Sequence, residues 1–271
     1  MQWAKDTGIE RLHDIEQQRT YSTRTVELKL SAVRGLFSWL SARGILRTNP
    51  MAMIQKTTLP EKKTLTTPAL PVEETRQLFL SIPTNICGLR DRALFGVMLY
   101  AVARVSAVLA MDVKDVYRKH NALWIRLYQS GGRPHNMPCH PELAAALTAY
   151  IEAADIAGDP DGPLFRAMAS KSTLGKTRLT RSGARLAVYR RTANADLNIP
   201  GINTRTFRKT GLLAYFKHPD AKLETAQLMA AHKDPKSTSL YRQDNDQVRI
   251  EDVQKIRPDV EENQNTEKSI R

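Results

Sequence analysis

Four short segments carry residues with the chemistry to act on a phosphodiester. Ala103-Arg104-Val105-Ser106 follows an apolar helical run, and Thr206-Phe207-Arg208-Lys209-Thr210-Gly211 opens another helix. Ala230-Ala231-His232 closes a third, and Thr238-Ser239-Leu240-Tyr241 places a tyrosine nine positions after that histidine. A phosphodiester resists attack because its oxygens carry negative charge. Two guanidiniums can clamp the nonbridging oxygens and stabilise the added charge of a pentacoordinate transition state. A tyrosine oxygen can then attack phosphorus and keep the bond energy in a covalent phosphotyrosine. Arginines in that role leave no need for a metal, and no carboxylate cluster in the chain suits Mg²⁺. Each residue alone has an ordinary structural reading: arginine as ion-pair partner, histidine as helix cap, tyrosine as half-buried packing. The order and spacing of all four together is the specific signal.

The bulk composition points the same way. Lys and Arg number 41 against 28 Asp and Glu, a formal charge of +13. Such an excess sets up a field that attracts polyanions. Nucleic acid is the favoured partner, because Lys and Arg displace counterions from phosphates. Ribosomal and membrane-surface proteins share the trait, so charge alone does not decide. The two cysteines, Cys87 and Cys139, form no C-x-x-C pair. A disulfide scaffold and a zinc site are therefore unexpected, and a reducing compartment fits. No cofactor is expected either. Met1-Gln2-Trp3-Ala4-Lys5-Asp6 is charged too early for a signal peptide. The most apolar stretch, 93–103, is about half the roughly 20 residues a membrane span needs. A soluble, cytoplasmic protein is the expectation.

The elements that must position these residues can be read from periodicity. A helix is predicted over 22–43, with Val26, Leu30, Val33, Leu36, Phe37 and Leu40 on one face and Arg24, Lys29, Arg34 and Arg43 on the other. Asn49-Pro50 breaks the chain, and Met51 to Ile54 closes the unit. Residues 55–71 hold three prolines and five threonines without apolar periodicity, which reads as an extended linker. Further helices are predicted over 71–82, 89–103 and to Met111, then at 141–154, 181–195, 205–216 and 223–231. Residues 113–117, 122–128 and 135–139 read as strands, with a turn at Ser130-Gly131-Gly132. The predicted fold is mainly α with one small antiparallel β-sheet. The domains are placed at 1–55, 72–258 and a polar tail over 259–271, with 56–71 as linker. Trp39, Trp124, Met98, Met111 and Met229 read as core. His120, His135, His140 and His218 read as surface, and Arg190-Arg191 as a solvated face or a phosphate contact.

Taken together, the four segments resemble the phage integrase, or tyrosine recombinase, family over about residues 22–256. Thr25-Val26 through Phe37-Ser38-Trp39-Leu40 and Asn49-Pro50 look like the end of that family's core-binding domain. Gly88-Leu89-Arg90-Asp91-Arg92-Ala93-Leu94 looks like the helix leading to its first catalytic arginine. The resemblance gives Arg104 the place of that arginine and Arg208 that of the second, in an H-x-x-R box. It puts His232 at a Gly-His position and Tyr241 at the nucleophile. It implies a recombinase catalytic domain preceded by a short helical core-binding domain, acting on double-stranded DNA as a homodimer or homotetramer. Arg24, Lys29, Arg34, Arg133 and Lys209 are the expected DNA contacts.

Two positions depart from the pattern. Arg205 stands where the box has histidine. Ser130, in Gln129-Ser130-Gly131-Gly132-Arg133, stands where the family carries a lysine expected to protonate the leaving 5′ oxygen. Serine is a poor general acid, and arginine does not exchange protons near neutral pH. The clamp and nucleophile match while the proton-transfer groups do not. Two readings stay open: a site-specific recombinase working through a 3′-phosphotyrosine, or a catalytically impaired DNA-binding protein on the same fold. A topoisomerase-like enzyme that relaxes supercoils is a third. About fifty residues precede the linker, so the core-binding domain is expected to be shortened.

Overall fold

The computed structural model describes residues 23–54, 67–128, 132–170, 172–232 and 236–239, the side chains of 23, 24 and 236 apart. Ser130, Tyr241, the Arg24 side chain, most of the linker and the polar tail lie outside the described residues. The chain divides into two compact units, Met1–Thr64 and Leu65–Arg271.

In the first unit, α1 spans Thr23–Ala42. Gly44 ends it at φ +70°, a left-handed cap that glycine adopts without a Cβ clash. The Ile45 N–H bonds back to the Leu40 carbonyl there. Asn49 Oδ1 accepts from the Met51 N–H at 2.9 Å and fixes the turn at Asn49-Pro50. Trp39 is not core. It is 52% exposed, three residues from an exposed Leu36, and the Arg43 guanidinium lies 5.3 Å from its ring centroid. Residues four apart on a helix are neighbours, so the indole is covered by a cation instead of a core.

In the second unit, α2 (Val72–Ser81), α3 (Ile86–Tyr100) and α4 (Val105–Ala110) come first. The Asn85 side chain caps α3 by accepting from the Gly88 N–H. Ala93, Leu94, Phe95, Val97 and Met98 are all fully buried. A helix apolar on every side belongs in the middle of a domain. It packs against α5 (Pro141–Ala153) and α7 (Thr204–Phe216). Phe95 stacks on Phe207 with ring centroids 4.5 Å apart. A Cβ on Gly211 would lie 1.9 Å from the Leu99 carbonyl oxygen, so only glycine lets α7 approach α3 this closely.

A short 3₁₀ turn (Val113–Asp115) leads into β1 (Val116–Lys119), β2 (Ala122–Tyr128) and β3 (Pro134–Pro138), an antiparallel sheet in that order. The first strand starts later than predicted because the Asp112 N–H donates to Asp115 Oδ2 and tightens the entry. On β2, Ile125 and Leu127 face inward opposite Met137 and His135 of β3. A second hairpin, β4 (Arg166–Met168) with β5 (Leu174–Arg178), was not expected from the sequence and corrects the single sheet to two. Helices α6 (Arg181–Asn194), α8 (Leu223–Ala230) and α9 (Lys236–Ser239) complete the described elements. Met98 and Met111 are buried as their periodicity predicts, and Trp124 is half-buried with Lys119 Nζ 5.3 Å from its ring centroid. Arg191 is neither solvated nor a surface contact: it is 4% exposed and pairs with Asp91 at 2.8 Å. No helix among the described residues is long and apolar enough to cross a membrane.

Candidate functional site

The fold brings Arg104, Arg208 and His232 together from α4, α7 and the end of α8. Arg104 precedes α4 with extended backbone angles, so its side chain leaves the helix axis at the helix entrance. Arg208 sits one turn into α7, where a capping box between Asn203 and Thr206 starts the helix. It is buried, at 7% exposure. Its guanidinium donates to the Val102 carbonyl, to the Ala230 carbonyl at 2.7 Å and to His232 Nε2 at 2.6 Å. Arg104 Nη1 donates to the Ala231 carbonyl at 3.3 Å.

Those carbonyls point at the arginines because the backbone turns sharply on either side. Val102 has φ 49° and Ala231 φ 45°, both left-handed without being glycine. A side chain in that region costs on the order of 1–3 kcal/mol and persists only where surrounding structure enforces it. At Val102 the branched Cβ makes the conformation rarer still. The carbonyls at and beside these two turns accept from both guanidiniums and hold them in place.

His232 follows the left-handed Ala231, and its backbone N–H closes the end of α8 on the Gln227 carbonyl. Its tautomer follows from its neighbours. Arginine only donates, so Nε2 accepts from Arg208, and Nδ1 carries the proton and donates to Thr238 Oγ1 at 2.8 Å. Burial, then the charges of Arg208 and Arg104, push its pKa down to about 4. At neutral pH it is therefore an uncharged bridge between Arg208 and α9. Thr238 is fully buried and lies three residues before Tyr241, which itself lies outside the described residues.

The other predicted positions are dispersed. Arg205 is exposed on the first turn of α7, and Arg133 is exposed just before β3. Lys29 is exposed on α1, where Arg34 pairs with Glu27 at 2.6 Å. Lys209, expected to face a phosphate, is instead buried at 9% exposure, and its ammonium donates to the Thr67 carbonyl at 2.8 Å. Among the described residues no three His, Cys, Asp or Glu side chains gather into a metal site.

Two residues without a predicted role belong to this neighbourhood. Thr238 orients His232, and only its place beside Tyr241 hinted at it. His135 is half-buried on β3 and close enough to Arg208 to feel its charge, which corrects its assignment to a surface turn. No sequence signal marked it.

A family model described as the phage integrase family matches residues 68–248. The tyrosine recombinase XerC of Neisseria gonorrhoeae (strain ATCC 700825 / FA 1090) is 31% identical over 145 residues, covering 52% of this chain and 46% of that protein. XerC of Escherichia coli O1:K1 / APEC is 22% identical over 174 residues, 60% of this chain and 57% of that one. The chain thus spans about half the length of the curated relatives it matches. Among solved structures, XerA recombinase superposes with a TM-score of 0.54 at 19% identity, over 92% of this chain and 82% of that one. A lambda integrase tetramer bound to a Holliday junction gives 0.58 at 16% identity, over 80% and 59%.

Proposed function

The chain belongs to the phage integrase family, and from that premise we propose that it is a site-specific recombinase that cleaves and rejoins double-stranded DNA through a 3′-phosphotyrosine on Tyr241. The observation that carries this reading is the preset pair of guanidiniums, Arg104 and Arg208, held by strained carbonyls and the neutral His232. Such a pair suits the nonbridging oxygens of a phosphodiester, because donors fixed in advance cost no reorganisation when charge develops. Tyr241 then attacks phosphorus, and Thr238, hydrogen-bonded to His232, ties the short helix before it to the clamp. In this reading Ser130 and Arg205 take the places of proton-transfer groups. Residues 1–55 act as a shortened core-binding domain, with the exposed Lys29 of α1 as a backbone contact.

The same reading gives the protein a homodimeric or homotetrameric state on DNA. A groove of about 1450 Å³ crosses the second unit, with Phe79, Leu80, Ala145, Ala149, Leu213 and Phe216 in its wall. It suits the apolar stripe Val248, Ile250, Val253 and Ile256 that follows Tyr241 in the sequence, supplied by a neighbouring copy.

DNA binding is the first requirement, and its salt dependence tests it. Each phosphate neutralised contributes a slope of about −0.9 to a plot of log K against log salt. Several contacts from a chain of +13 are expected to give a steep negative slope on duplexes of unrelated sequence. Fluorescence anisotropy across a salt series measures this, and a slope near zero contradicts the reading.

A further inference from the structure

The sheet β1–β3 has an outer face that the clamp chemistry does not use. Ile125 and Leu127 of β2 are fully buried, so alternation turns Trp124, Arg126 and Tyr128 to the opposite side. Trp124 pairs across the sheet with Tyr117 of β1 and with the exposed Pro138 of β3. Tyr128, at the end of β2, is 40% exposed. Two cations lie on these rings: the Arg126 guanidinium 5.2 Å from the Tyr117 centroid, and Lys119 Nζ 5.3 Å from that of Trp124. Arg126 is steadied by the buried Asp115, 3.8 Å away, and keeps 37% of its side chain exposed. The three strands themselves hold no Asp or Glu. Rings and cations thus alternate on an open face without a carboxylate.

That combination of side chains fits one kind of polymer. Cations suit a string of phosphates, and flat ring faces suit bases that are not already stacked on neighbours. In a duplex both faces of each base are covered, so only a single strand offers them. An acidic peptide would meet the cations and leave the rings without a partner. Lys119 is exposed, and a cation over a ring at an exposed site is held more weakly than a stacked base. Its ammonium therefore moves to a phosphate as a base takes its place on Trp124.

We propose that this face binds single-stranded DNA, with bases stacked on Tyr117, Trp124 and Tyr128 and phosphates held by Lys119 and Arg126. The choice of DNA over RNA rests on the recombinase reading above, since cutting a duplex frees a strand end that must be kept until it is rejoined. The stacking itself does not rest on that reading. Trp124 and Tyr128 stand about 13 Å apart along β2, with Arg126 between them. A strand laid along β2 meets ring, cation and ring in turn. Binding is expected to tolerate any sequence, because every base has a π-face.

The test measures the anisotropy of a labelled short oligothymidylate with the full chain, beside a duplex of unrelated sequence. Trp124→Leu and Tyr128→Leu are each expected to weaken single-strand binding about 5–150-fold and to leave duplex binding unchanged. Tyr128 is exposed, so Tyr128→Leu still answers the question where Trp124→Leu fails to fold. Lys119→Ala is expected to make the log–log salt slope on the single strand about 0.7 shallower. A parent that does not bind the oligonucleotide overturns the proposal, as do parent-like binding by the ring variants and an equal loss on duplex by folded variants. So does polyglutamate that displaces the oligonucleotide as well as unlabelled strand does, which marks a surface reading charge alone, and so does tighter binding of oligouridylate. Tyr241→Phe is expected to bind the oligonucleotide as the parent does. Failure of the recombinase reading therefore shows separately, as the absence of a covalent adduct on cleavable DNA.

Discussion

Replacing Arg208 by alanine is expected to slow covalent adduct formation by about 10²–10³-fold, the usual effect of removing one preorganised donor at a developing charge. Its buried guanidinium is tied to the Val102 and Ala230 carbonyls and to His232. The loss therefore touches both the clamp and the bridge to α9. DNA affinity is expected to change little, because on the proposed reading the residue is one phosphate contact among many. Arg208→Lys separates charge from geometry: it keeps a cation but cannot hold three acceptors in one plane. Single-turnover cleavage beside a filter-binding isotherm measures both quantities. Parent-like cleavage by Arg208→Ala means the wrong residues have been placed at the phosphate.

The second large effect is on stability. Asp91 is fully buried on α3 between Arg90, at 2.7 Å, and Arg191 of α6, at 2.8 Å. Arg90 also donates to the Arg166 carbonyl on β4, so one carboxylate holds two helices and the second hairpin in register. Removing it leaves two guanidiniums, 3% and 5% exposed in their side chains, without their counter-charge. Breaking a buried pair from one side costs about 3–5 kcal/mol. Asp91→Ala is expected to lower the urea midpoint accordingly, with Asp91→Asn falling between it and the parent. An unchanged midpoint would mean that water reaches this cluster and replaces the carboxylate.

How far the sequence foretold this structure depends on what kind of force shaped each part. Helix α3 announces itself by the apolar stretch from Ala93 to Tyr100, and α7 by Phe207, Leu212 and Leu213 after a polar start. The Arg104, Arg208 and His232 positions were legible as motifs, since charged groups at helix ends stand out against apolar runs. The hairpin β4–β5 was not, because Leu-Gly-Lys-Thr-Arg has no alternation to mark a strand. Nor was Arg191: a basic pair reads as surface unless a distant Asp91 is known to meet it. Trp39 misled in the opposite direction, since hydrophobicity does not say which helix face a unit leaves open. The surroundings of His135 were invisible because Arg208 and the Met229 backbone, which it senses, lie more than seventy positions away.

Recombination through this site requires that Tyr241 become covalently joined to DNA. A nicked suicide duplex that loses its 5′ fragment after cleavage traps that state, and denaturing electrophoresis shows it as a slow band that protease digestion removes. The parent is expected to accumulate this band and Tyr241→Phe to give none while binding the duplex equally well. A parent that leaves no adduct, or a Tyr241→Phe variant that leaves as much, would contradict the assignment of this chain as a recombinase acting through that residue.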